Sequence, residues 1–104
     1  MKKIIDGKLY DTETATRVGS FDSGGSCRDF SHFEESLYKT PGGAYFVAGS
    51  GGPMTGYARS DGQNSWTGSE DIRALTREEA FEWAQSHLDA DETQAEFGDL
   101  IVPA

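Results

Sequence analysis

Thr76 divides the sequence into two parts with different periodicities, and that division constrains the fold more than any other feature. Before it, apolar residues alternate with polar ones in short runs separated by glycine- and proline-rich turns; after it, they recur every three or four residues. Thr76-Arg77-Glu78-Glu79 is a capping box, in which the threonine hydroxyl and the Glu79 carboxylate each satisfy an amide that a helix start leaves open. Ala80, Trp83, Ala84, His87 and Leu88 follow at the spacing of one helical face, with Phe81 beside them, so a helix is expected over residues 77–88. Asp89-Ala90-Asp91-Glu92 repeats the cap signature and predicts a second short helix running to Phe97 and stopped by Gly98. Strands followed by helices within 104 residues point to one α+β domain. The expected form is a small twisted antiparallel β-sheet of about three to five strands, packed against a C-terminal amphipathic helix and a second, short acidic helix.

Ahead of Thr76, residues 2–10 read as a short strand or a pair of strands interrupted at Asp6-Gly7, a dipeptide suited to a tight hairpin turn. Asp11-Thr12-Glu13-Thr14-Ala15-Thr16 suits one helical turn capped by Asp11, after which residues 17–21 return to an extended pattern. Asp22-Ser23-Gly24-Gly25-Ser26 is a turn-rich loop. Over residues 33–40, Phe33, Glu35, Leu37 and Lys39 alternate with Glu34, Ser36 and Tyr38. Pro41-Gly42-Gly43 breaks that run, and residues 44–48 form a second, apolar one. Together they are the strongest β signal in the chain, an antiparallel hairpin with a connection of about four residues. Gly49-Ser50-Gly51-Gly52-Pro53 ends the second strand, residues 54–69 are loop-like, and residues 71–75 form a short extended segment at a sheet edge. Ile5, Leu37, Phe46, Val47, Trp83 and Leu88 are the residues expected to join this sheet to the helices.

Charge sharpens the division. The chain carries 18 Asp and Glu against 9 Lys and Arg, a formal net charge of −9. Proteins that hold DNA or RNA through phosphates need surplus Lys and Arg, so direct nucleic-acid binding is disfavoured, and so is an anionic membrane surface. Residues 1–60 balance seven basic side chains against seven acidic ones, whereas residues 61–104 hold eleven acidic groups with only Arg73 and Arg77 against them. The whole net charge therefore lies in the second part. The longest apolar run is too short for a membrane span. Met1-Lys2-Lys3 is followed only by Ile4 and Ile5 before Asp6, which is not a signal-peptide pattern. A lone Cys27 has no partner for an internal disulfide. A cytoplasmic monomer is expected.

Residue types that carry catalysis or metal binding are sparse. Cys27 and His32 are close enough in sequence to suggest a dyad, yet spacing alone is weak evidence for one, and His87 lies on the apolar helix face where a packed structural role is the simpler reading. One Cys and two His make no zinc set, and Asp22 and Asp29 lack the alternating loop of a calcium site, so neither metal nor cofactor is expected. Gly49-Ser50-Gly51-Gly52 lacks the Lys-Ser/Thr ending of a phosphate loop. Tyr45, Tyr57 and Trp66 offer rings for base stacking but no basic track beside them.

What stands out instead is acidic surface. With Ala80, Trp83, Ala84 and Leu88 facing inward, Glu78, Glu79, Glu82 and Asp89 are left for solvent, the second helix adds Asp91, Glu92 and Glu96, and Glu70 and Asp71 precede them. Residues three and four apart on a helix lie roughly 5–6 Å apart, comparable with successive phosphates of one nucleic-acid strand. Such a row can present to a Lys- and Arg-lined groove a surface resembling a phosphate backbone. Two other causes produce the same pattern: acidic residues favour helix N-termini through the macrodipole, and charged faces keep small proteins soluble. The absence of compensating lysines on these helices distinguishes them from helices built for stability alone, which usually mix Glu with Lys at i, i+4.

Several segments carry a family resemblance: Leu9-Tyr10-Asp11-Thr12-Glu13-Thr14-Ala15, Glu35-Ser36-Leu37-Tyr38-Lys39-Thr40, Gly43-Ala44-Tyr45-Phe46-Val47 with Gly49-Ser50-Gly51-Gly52-Pro53-Met54, and Ile72-Arg73-Ala74-Leu75-Thr76 with Glu78-Glu79-Ala80. They resemble a family of small accessory proteins of bacterial plasmids, phages and other mobile elements, and the chain is similar to anti-CRISPR proteins that inhibit type I systems, type I-C above all. The resemblance names no catalytic motif and does not extend beyond Asp89. It implies a non-enzymatic inhibitor that binds the large, Cas8-type subunit of a CRISPR interference complex at its basic DNA-binding groove and blocks target DNA. The acidic surface, rather than the resemblance, supplies the candidate contact residues Glu70, Asp71, Glu78, Glu79, Glu82, Asp89, Asp91, Glu92 and Glu96. The alternative is an accessory or regulatory protein of a mobile element that binds a basic host protein without mimicking nucleic acid; an enzyme using Cys27 is a third, weaker one.

Overall fold

Asp6 and Gly7 both have positive φ, 52° and 76°, the conformation a two-residue hairpin turn requires. They join β1 (Lys2–Ile5) to β2 (Lys8–Asp11) as an antiparallel pair in which Ile4 faces Leu9 and Lys3 faces Tyr10. The computed structural model describes residues 1–23, 32–51, 59–60, 66–67 and 69–104. The helical turn expected after β2 is a single hydrogen-bonded turn, in which the Asp11 carboxylate accepts from Glu13 N at 2.9 Å and the Asp11 carbonyl from Ala15 N at 3.1 Å. It leads into β3 (Thr16–Asp22). Cys27, Tyr57 and most of the two glycine-rich loops expected after Asp22 and Gly51 lie outside the described residues.

β4 (Phe33–Lys39) and β5 (Tyr45–Gly51) form the expected hairpin, with five residues rather than four between them. Thr40 closes this connection by donating its N–H to Ala44 O at 2.8 Å and accepting from Ala44 N through its hydroxyl at 3.0 Å. Within the stretch expected to be loop, β6 (Arg59–Ser60) and β7 (Trp66–Thr67) make a ladder of two residue pairs. β8 (Ser69–Leu75) begins two residues earlier than expected, and β5 continues three residues past Ala48. These extensions are each other's partners: Gly49 pairs with Asp71, Ser50 with Glu70 and Gly51 with Ser69. Ladder hydrogen bonds there outweigh the weak strand preference of glycine and serine. The main sheet has the order β3-β4-β5-β8, antiparallel throughout, with β8 at an edge as expected.

Both faces of this sheet are covered, which explains why β5 is apolar without alternation. Tyr45 and Val47 point to one face and join Leu37, Ala80, Trp83, Ala84 and Phe97 in a core beneath the helices. Phe46 and Ala48 point to the other and join Ile72 and Tyr10 beneath the β1–β2 hairpin, with Ile5 and Tyr38 packed at the margin. Phe46 is fully buried there, stacked on Tyr38 at 5.2 Å and edge-on to Tyr10 at 5.6 Å. Ile5 and Phe46 therefore do not support the helices, contrary to expectation: Ile5 belongs to the hairpin itself, and strand alternation turns Phe46 toward it.

On the helix side, α1 (Arg77–His87) starts at the expected capping box: Glu79 N donates to Thr76 Oγ1 at 3.1 Å and Thr76 N to Glu79 Oε1 at 2.9 Å. α2 (Ala90–Phe97) is capped by Asp89, whose carboxylate accepts from Glu92 N at 2.8 Å. α2 ends at Phe97 with Gly98 as its C-cap, as expected, although Gly98 holds right-handed helical dihedrals and opens a 3₁₀ turn over Gly98–Leu100. A bulge in β3 between Arg17 and Gly19 turns Gly19 under the helices. A Cβ added at Gly19 would stand 2.5 Å from Leu88 Cδ2, so glycine is what lets the α1–α2 junction approach the strand. Among the described residues no helix is long and apolar enough to cross a membrane.

Candidate functional site

The outer surface of α1 and α2 carries the acidic groups, and their hydrogen bonds sort them into those that hold the fold and those that face solvent unengaged. Glu79 and Asp89 belong to the first set. Each carboxylate caps a helix start, and the bonds from Thr76 backbone and side chain hold the Glu79 carboxyl below its ordinary value of 4.5. Glu96 is half-buried and ties α2 to the sheet: it accepts from the Tyr45 hydroxyl at 2.5 Å and pairs with Lys39 at 3.2 Å. Burial raises the Tyr45 phenol, with the bond to Glu96 acting in the same direction; the Glu96 bond is also the main cause that raises Lys39. Asp71 pairs with Lys3 of the hairpin at 2.8 Å.

Glu78, Glu82, Asp91 and Glu92 form the second set. All four are exposed, and none makes an ion pair with a described residue. Glu78 and Glu82 stand one turn apart on the side of α1 opposite the buried Ala80, Trp83 and Ala84. Asp91 and Glu92 occupy the first turn of α2. The two arginines of this half do not offset them. Arg77 forks onto Asp99, with N···O distances of 2.8 and 2.5 Å, which holds the Asp99 carboxyl down and raises the guanidinium. Arg73 lies 3.9 Å from Glu35, the buried carboxylate that accepts from Trp83 Nε1 at 3.0 Å.

Glu70 does not join this surface. It sits at the far end of β8 from α1, about 16 Å of strand away, and alternation places it with Ile72 and Ala74 on the hairpin side. Nine candidate carboxylates thus reduce to a displayed set of four, two on α1 and two on α2, with two caps, one sheet tie, one hairpin tie and one residue on another face. The Tyr45–Glu96–Lys39 tie had no sequence signal, because its members lie on strands and a helix whose contact depends on the whole sheet. The two caps did have one: a residue at the N-cap or N3 position is already engaged by the helix it starts.

Beside the acidic set, Phe81, Leu88, Thr93, Leu100, Ile101 and Val102 help line an open groove of about 830 Å³ between the helices and the C-terminal segment. Val102 is 83% exposed at its rim. His87 is packed between Phe21 and Trp83, with ring centroids at 4.2 and 5.0 Å, in the structural role its place on the apolar face suggested. Comparison with protein-family models, with curated proteins and with solved structures finds nothing that matches this chain.

Proposed function

We propose that the chain is a non-enzymatic inhibitor whose helix layer occupies a basic, nucleic-acid-binding groove of a partner protein. The observation that carries this reading is the quartet Glu78, Glu82, Asp91 and Glu92, without an ion pair among the described residues and displayed on helices while Arg73 of β8 and Arg77 of α1 are directed elsewhere. A groove that binds DNA releases counterions when a phosphate backbone enters it, and a fixed carboxylate row draws on the same electrostatic gain. The sequence resemblance makes the large, Cas8-type subunit of a type I CRISPR interference complex, type I-C first, the partner to test. Inhibition then consists of excluding target DNA, with no cofactor and no covalent step.

The test is binding of the purified chain to that complex, with target DNA as competitor. Duplex DNA is expected to displace it, and affinity is expected to fall steeply with salt. Glu78→Lys/Glu82→Lys/Glu92→Lys should lower affinity at least tenfold, while the thermal midpoint stays within about 5 °C of the parent, since these side chains hold nothing in the fold. Unchanged affinity in the triple variant defeats the reading.

The apolar groove beside the quartet favours a second reading, a dedicated interface with a basic host protein that is not a nucleic-acid groove. There, Val102→Asp would weaken binding more than the charge reversals, and neither salt nor duplex DNA would compete effectively.

A further inference from the structure

On the side of the molecule away from the acidic helices, the β3–β4 ladder places Asp22 directly opposite Glu34. Residues directly opposite each other across a ladder bring their side chains within reach of one another, so two carboxylates here can share one ligand. Between them stands His32, two residues before Glu34, with its side chain 14% exposed. Its Nδ1 lies 3.5 Å from Asp22 Oδ1 and its Nε2 3.3 Å from Glu34 Oε1. One donor atom from each of the three residues falls within 4.8 Å of the other two. The backbone beneath is firmly set: Ser23 N donates to Phe33 O at 2.9 Å, and Phe33 N donates to Ser23 Oγ at 2.9 Å, closing the ladder just past the cluster.

We propose that Asp22, His32 and Glu34 form a binding site for a divalent transition-metal ion of the zinc type. One imidazole and two carboxylates are a donor set that suits Zn²⁺, with a fourth position left for water. In a tetrahedral zinc centre with bonds of about 2.0–2.1 Å, neighbouring donor atoms lie about 3.3–3.4 Å apart; the three donors here already stand within 4.8 Å of one another, and turning the exposed Asp22 and Glu34 carboxylates onto one imidazole nitrogen closes the remainder. One imidazole nitrogen ligates the ion. An ion held by the folded ladder end and not by the unfolded chain stabilises the fold by mass action. Access is open, since Asp22 and Glu34 keep 55% and 59% of their side chains exposed and a cavity of about 330 Å³, lined in part by Arg17, Ser20 and Ser36, adjoins them. The linear spacing of these residues resembles no metal motif, because strand pairing rather than sequence proximity brings Asp22 to the other two.

The experiment titrates the full chain with Zn²⁺ by calorimetry near neutral pH and repeats it with Co²⁺, read by visible absorption. A single tight site per chain is expected, with a thermal midpoint that rises on adding Zn²⁺. His32→Ala and Asp22→Asn should each weaken that site at least tenfold, and Cys27→Ser should leave it unchanged. Should His32→Ala fail to fold, long-range ¹H–¹⁵N spectra of the parent's imidazoles serve instead, where only the His32 ring is expected to shift on adding Zn²⁺. Absence of one stoichiometric site, equal binding by His32→Ala, loss of binding in Cys27→Ser, or an unmoved His32 ring would each overturn the proposal.

Discussion

Helices α1 and α2 and the β1–β2 hairpin cover opposite faces of the same four-stranded sheet, and they are held there in different ways. The helices bury Ala80, Trp83, Ala84 and Phe97 against Leu37, Tyr45 and Val47, while both helix starts are capped by side chains. The hairpin has strands of four residues each and commits one buried ring, Tyr10, together with the partly buried Ile5, while Ile4 and Leu9 point outward with 71% and 55% exposure. An isolated two-stranded hairpin is marginal in water, so this one depends on what it rests on. The layers differ in charge as well: Lys2, Lys3 and Lys8 lie on the hairpin, whereas the quartet of exposed carboxylates lies on the helices. The sequence asymmetry at residue 60 thus becomes an asymmetry through the thickness of the molecule.

The largest test of this contrast is in the cores. Phe97 is fully buried between Tyr45 and Phe81, at centroid distances of 5.4 and 5.5 Å. Phe97→Ala should cost about 3–5 kcal/mol in urea unfolding, a large share of what a domain of this size has. Tyr10→Ala should cost less than half as much, and backbone amides of β1 and β2 should exchange with solvent ahead of those of α1. Equal losses for the two variants would break the distinction between an integral layer and a docked one.

Much of this contrast is readable locally and some is not. The Thr76 capping box, the Asp89 cap, the Asp6-Gly7 turn and the β4–β5 hairpin are legible because each is set by residues within a few positions of one another. The two-sided burial of β5, the bulge that brings Gly19 beneath Leu88, and the separation of Ile5 and Phe46 from the helices depend on which layer lands on which face. Site legibility divides along the same line. Exposed acids on the helices followed from periodicity, but periodicity does not say that Glu96 is held by Tyr45 and Lys39, or that Glu70 belongs to the other face. Asp22, His32 and Glu34 meet only through the register of β3 with β4.

A middle-sized effect separates the carboxylates that cap helices from those that are displayed. Thr76→Ala should cost about 1 kcal/mol in the same urea assay, whereas Glu82→Gln should be near neutral. The Glu79 carboxyl is depressed in the folded state, so its contribution is fully present above its ordinary value of 4.5 and is lost as pH falls through the lower folded value. Glu79→Gln should flatten the acid side of the thermal-midpoint profile below about pH 4.5, and Glu82→Gln should leave its shape unaltered. An unchanged profile in Glu79→Gln would remove the distinction.

The smallest effect tests how the hairpin is fastened. Lys3 and Asp71 form the one ion pair between a described hairpin residue and the main sheet, 2.8 Å long with 45% and 43% of the side chains exposed. Half-exposed pairs contribute only about 0.2–1 kcal/mol and are screened by salt, so Lys3→Ala should barely move the global unfolding midpoint. Its effect should be local instead. Amides of β1 and β2 should exchange faster in Lys3→Ala at low ionic strength, the difference from the parent should shrink at high salt, and α1 amides should be indifferent to both changes. Acceleration of α1 exchange to the same degree would mean that hairpin and helices open together, and that the sheet couples its two coverings rather than carrying them independently.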